Sequence, residues 1–100
     1  NYLAWELNND HIERRERNGN KDRGDITGVK FMGQRVVIEV KDAARLEFGP
    51  WLNEADIERG NDDAGVGMVI AKRKGHGQPG DQFVVMTLAD LVSLLTGERP

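Results

Sequence analysis

Apolar and polar positions alternate most regularly between Arg35 and Lys41. In an extended chain Val36, Ile38 and Val40 take one face, suited to a core, while Glu39 and Lys41 share the other. The β-branched content makes this the strongest strand in the chain. Before it, Asp25 to Phe31 alternates with Ile26 on one face and Asp25, Val29 and Phe31 on the other, and Met32-Gly33-Gln34 reads as a tight turn closing a hairpin. His11 to Arg17 alternates weakly, as a short polar edge strand, and Asn18-Gly19-Asn20 is a turn signal. Leu3 and Leu7, at i and i+4, mark residues 1–9 as the end of an amphipathic helix whose first turns are expected upstream.

Downstream, Pro50 suits a helix start, with Trp51, Leu52 and Ala55 as the apolar side and Arg59-Gly60 as the stop. Val66 to Ala71 and Gln82 to Met86 read as strands, separated by a glycine-rich stretch, Lys72 to Asp81, that reads as a mobile loop. Thr87 caps a final helix, with Asp90 three residues on; Leu88, Leu91, Val92 and Leu95 recur at helical spacing and Gly97 ends it. The order α-β-β-β-α-β-β-α predicts a single α/β domain over residues 1–100, a mixed sheet flanked by helices.

Length and composition narrow this picture. One hundred residues support one core, near the size at which dimerisation is a useful further source of burial. Cysteine is absent, which removes disulfides, thiol nucleophiles and cysteine-ligated zinc. No apolar run approaches a membrane span of roughly 20 residues, and no signal-peptide pattern is visible, so an intracellular, cytoplasmic protein is expected. The net charge of −3 is unevenly spread. Residues 11–35 hold seven bases against four acids, residues 36–63 three bases against eight acids. Acidic overall with basic loops suits a protein that grips a polyanion at chosen points and a cation at another; ordinary solvated loop charge is the plainer alternative.

The chemistry collects around Glu39-Val40-Lys41. If the strand bearing Asp25 pairs antiparallel through the tight turn, Asp25 can lie near Glu39, and two carboxylates and an ammonium converge. Carboxylates that close repel, and a divalent cation relieves the repulsion. Oxygen ligands suit Mg²⁺, with Mn²⁺ as a substitute, and the Val40 carbonyl is a further candidate ligand. Such a cation makes a water more acidic and able to attack phosphorus, and Lys41 can orient that water or stabilise phosphoryl charge. The alternative is a charged hairpin end with Lys41 paired to Glu39.

Gly24-Asp25-Ile26 followed by Ile38-Glu39-Val40-Lys41 resembles the PD-(D/E)xK nuclease superfamily, and more narrowly the Holliday junction resolvases of archaea and of actinobacterial viruses. The resemblance implies a restriction-endonuclease-like fold and a Mg²⁺-dependent phosphodiesterase acting as a homodimer on branched DNA. It implies Asp25 and Glu39 as metal ligands and Lys41 as the catalytic lysine, in the host cytoplasm if the source is viral. Gly24 stands where the superfamily commonly has proline, and the glutamate those resolvases carry early in the first helix has no counterpart, since Glu6 falls in the wrong part of it. A non-catalytic DNA-binding module with the same fold, and a nuclease acting on flaps or ends, are the alternatives.

Arg14, Arg15, Arg17, Asn18, Lys21 and Arg23 precede Asp25 and are candidates for DNA contact, as are Lys72, Arg73 and Lys74. Glu54 and Glu58, at i and i+4, either face the metal pocket or form a solvated helical face. Trp51 and Phe48 read as core or dimer contacts, Trp5 and Tyr2 as helix-packing residues, and His11 and His76 as exposed polar residues. Ser93 has no partners for nucleophilic chemistry.

Overall fold

The protein is described here by a computed structural model covering residues 2–9, 11–14 and 26–100, with the backbone alone of Arg14 and Thr27. The elements run α1 (Tyr2–Glu6), β1 (Glu13–Arg14), β2 (Ile26–Thr27), β3 (Lys30–Phe31), β4 (Gln34–Lys41), α2 (Phe48–Asn61), β5 (Val66–Ala71), β6 (Phe83–Val85) and α3 (Leu88–Thr96). They build an α/β fold around a mixed sheet in the order β1-β2-β4-β5-β6, with β3 also paired to β4. β4 and β5 run parallel, from Val36 opposite Val66 to Lys41 opposite Ala71, joined by α2; the other pairs are antiparallel. No helix among the described residues is long and apolar enough to cross a membrane.

Alternation along β4 and β5 divides the core in two. Val36, Ile38, Val66 and Met68 pack with Ile12 and Ile26, and with Leu3, Ala4 and Leu94 of the two short helices, on one face. Val69 and Ala71 pack with Trp51 and Ala55 of α2 on the other. Pro50 lies in the first turn of α2 rather than at its first residue, a position where its missing N–H costs nothing; the first intrahelical bond is Trp51 N–H to the Glu47 carbonyl at 3.1 Å.

The expected strand Asp25 to Phe31 is broken in two. Gly28 has φ +90°, and a Cβ there would lie 2.3 Å from the His11 carbonyl oxygen, so the chain passes the His11–Ile12 backbone just before β1 too closely for any other residue. The break resets the alternation: Ile26 and Val29, expected on opposite faces, pack against the same core. The hairpin turn holds as read, with Met32 and Gly33 both at positive φ between paired Phe31 and Gln34.

Two other expectations fail. Trp5 is 82% exposed and Tyr2 is also exposed, so neither is buried by helix packing. The stretch 72–82 is tied down rather than loose. The Gln82 side chain accepts from Arg73 N–H at 2.6 Å and donates to the carbonyls of His76 (2.8 Å) and Gln78 (2.7 Å). Pro79–Asp81 forms a 3-10 turn within it. One side-chain amide satisfying three backbone groups holds a glycine-rich segment that composition alone marks as floppy.

Candidate metal centre

Glu39 is set by β4. Its neighbours Ile38 and Val40 belong to the core on the α1/α3 side, so the period of two turns Glu39 and Lys41 towards α2. That face is not open to water. Glu39 is 0% exposed, and β4 is flanked along this stretch by β5, with Glu39 opposite Val69.

α2 closes over it because of what β5 lacks. A Cβ at Gly67 would meet the Ala55 carbonyl oxygen at 3.1 Å and the Arg59 Cβ at 3.3 Å, so glycine lets the helix backbone approach the sheet. Trp51 and Ala55 anchor the helix on Val69 and Ala71. The residues one turn apart on the adjoining flank, Glu54 and Glu58, then meet Glu39: one carboxylate oxygen of each lies within 4.8 Å of the others. Glu58 is 1% exposed and Glu54 is half-buried. Glu58 is therefore not on a solvated helical face, and the pair lies beside Glu39.

The Lys41 Nζ donates to Glu54 Oε2 at 2.7 Å. Burial opposes its charge, but the Glu54 hydrogen bond and the charges of Glu54, Glu39 and Glu58 outweigh that and hold its pKa above the ordinary lysine value. The site is thus three carboxylates, two of them fully buried, with an ammonium at one side. Oxygen donors converging at this spacing are the kind of set that hard divalent cations take.

Val40, between the two, packs its side chain against the opposite core. Asp25 lies outside the described residues, as do Arg15, Arg17, Asn18, Lys21 and Arg23; Arg14 ends β1, opposite Ile26. What is described of that hairpin is the antiparallel register Ile26 to Ile38. Lys72, Arg73 and Lys74 leave the end of β5 and line a cleft of about 710 Å³ with Asp42, Leu46 and Phe83.

Comparison with known proteins finds no family model, no curated protein and no solved structure that matches this chain. The reading of the site therefore stands on its own geometry. His11 is exposed and far in sequence from the cluster, while His76 is half-buried in the cleft wall. Ser93 is buried with its hydroxyl donating to the Gly65 carbonyl at 2.7 Å, a structural use. Trp51 is core, whereas Phe48 stays exposed with its ring 6.2 Å from that of Trp51. The pocket-facing role of Glu58 had one signal in the sequence, its i+4 spacing from Glu54; its partnership with Glu39 had none, because it depends on how closely α2 sits on β5.

Proposed function

We propose that the protein is a metal-dependent endonuclease with a restriction-endonuclease-like fold, hydrolysing phosphodiesters in branched DNA such as a four-way junction. One observation carries the reading. A buried glutamate on the central parallel strand, followed two residues on by a lysine on the same face, meets two further carboxylates within 4.8 Å. Glu39, with Asp25 as the expected second ligand, would hold Mg²⁺ or Mn²⁺, and Glu54 and Glu58 lie where they can share it. Bound there, the cation supplies Lewis-acid charge and acidifies water. Lys41 carries its proton throughout the neutral range and is placed to steady negative charge developing on a phosphoryl oxygen. The basic loop after β5 supplies phosphate contacts. A homodimer, which would present two such sites to opposed strands, is supported by the exposed row Leu88, Leu91, Val92 and Leu95 on α3.

A second reading has its own observation. The 2.7 Å Lys41–Glu54 pair already places an ammonium against the acids, which suits a DNA-binding module that does not cut. Incubating labelled four-way junction, flap and linear duplex with Mg²⁺ and with EDTA separates the two. Mg²⁺-dependent cutting that is lost in Glu39→Gln, Asp25→Asn and Lys41→Ala, with binding retained, is expected. Cutting that survives in the Asp25→Asn/Glu39→Gln double variant overturns the assignment, and binding without cutting by the unaltered protein establishes the second reading.

A further inference from the structure

The carboxyl ends of two adjacent parallel strands are where α/β sheets bind ligands, because the connections leave a crevice there. β4 and β5 end at Lys41 and Ala71, and the segments that follow them diverge, one towards α2 and the other into the basic loop. Between them lies the cleft of about 710 Å³. A second hollow of about 460 Å³ shares Asp42, Lys72 and His76 with it and reaches Lys41. That second hollow is also lined by Val40 and Ile70, on the α1/α3 side of the sheet, so the two hollows meet around the strand ends.

Its walls have two characters. Lys72, Arg73 and Lys74 are cationic, while Leu46 and Phe83 are apolar and exposed. The Arg73 guanidinium carbon stands over the Phe83 ring, 5.4 Å from its centroid. The loop bearing these cations is held in shape by Gln82, so little ordering is left for a ligand to induce. A cationic track beside an aromatic ring is how single strands are gripped: charge follows the backbone and the ring stacks a base. The volume lies within the roughly 300–1,000 Å³ of small-ligand sites, room for a nucleotide or two rather than for a duplex.

We propose that this cleft holds an unpaired DNA segment, with a base against Phe83 and Arg73 and its phosphates on Lys72 and Lys74, beside the strand ends at which Lys41 lies. The choice of DNA, and of a strand made unpaired by a branch, rests on the nuclease reading. Asp42 opposes the ligand: its carboxylate lies 3.8 Å from Lys72 Nζ in an exposed pair, and an incoming phosphate must compete with it.

The test is binding without turnover: fluorescence anisotropy in EDTA with labelled oligo(dT) of about 12 nucleotides, within the 4–16 that small single-strand folds cover, against duplex of equal length. The unaltered protein is expected to favour the single strand. Phe83→Leu weakens oligo(dT) about 5- to 160-fold, the range for one lost stack, and duplex less than twofold, while Phe83→Tyr retains affinity. The exposed pair Lys72→Ala/Lys74→Ala lowers the salt slope on oligo(dT) by roughly 1.4, and Asp42→Asn tightens binding about two- to fivefold. No preference for single strand over duplex overturns the proposal, as does an unchanged salt slope in the lysine pair, or a Phe83→Leu loss equal on both ligands with the thermal melt intact. Failure of the nuclease reading looks different: oligo(dT) binding with these dependences persists while Mg²⁺ produces no cutting.

Discussion

Two helices bury acidic residues on opposite sides of the same sheet, to opposite ends. On α3, Asp90 accepts from the Gly67 N–H at 3.1 Å, from Arg99 at 2.7 Å and from the Thr87 hydroxyl at 2.7 Å. Burial penalises that charge, but the hydrogen bonds from Gly67, Arg99 and Thr87 outweigh it and hold the carboxyl below the ordinary aspartate range. On α2, Glu58 is buried against other carboxylates, Glu39 and Glu54, with Lys41 as the cation the structure places beside them. The first acid is surrounded by donors and ties the chain's end to the sheet. The second belongs to a set of like charges, an arrangement that costs stability unless it does something else. The difference teaches which buried charge belongs to the scaffold and which to the candidate site.

Substitutions of opposite sign should break or sharpen this contrast. Asp90→Ala should destabilise by about 2–4 kcal/mol in urea denaturation, since it strands the Gly67 N–H and the Arg99 guanidinium. Glu58→Leu, replacing a buried charge by a group that fills space, should be neutral or stabilising by about 1–2 kcal/mol in EDTA, and should abolish any shift of the melting temperature by Mn²⁺. If both variants destabilise equally, the two acids are alike and the contrast falls.

The pH profile carries the same distinction. Asp90 titrates lower in the folded state, so its contribution is present above the unfolded carboxylate range and is lost as pH falls through the depressed value. Lys41 titrates higher, so its contribution is full below the ordinary value of 10.5 and is lost as pH rises through the folded value. Chemical denaturation across pH should therefore lose the acid limb in Asp90→Asn and the alkaline limb in Lys41→Met. The smallest effect is expected on the outer face of α3. Leu88 and Leu95 are 75% and 68% exposed, so Leu88→Lys and Leu95→Lys should change monomer stability by no more than about 0.5 kcal/mol. Sedimentation of the same variants reports whether that row holds a second copy.

α3 shows how far local pattern reaches. Its cap and stop are as read, with the Asp90 N–H on the Thr87 hydroxyl at 3.2 Å and Gly97 left-handed at φ 85°. Yet the leucine row that defines its amphipathic face looks outward, while Asp90 and Ser93 face the sheet. Helical spacing says that a face exists; it does not say which neighbour takes it, and here hydrogen bonds to Gly65 and Gly67 orient the helix instead. The break at Gly28 is a comparable case, since the close approach to the His11–Ile12 backbone that resets the alternation is a contact between distant residues.

Alone, the order of residues determined the strand that carries Glu39 and Lys41 on one face, the turn at Met32-Gly33, the caps of the last helix and the alternation of helix and strand, because each depends on neighbours within a few positions. Tertiary structure decided the rest. Glu54 and Glu58 reach Glu39 because a residue without a side chain at 67 lets α2 settle on the sheet, and the crevice beside Lys41 exists because two parallel strands end together. Both are matters of how closely distant segments approach, a quantity fixed by packing and written in no local pattern.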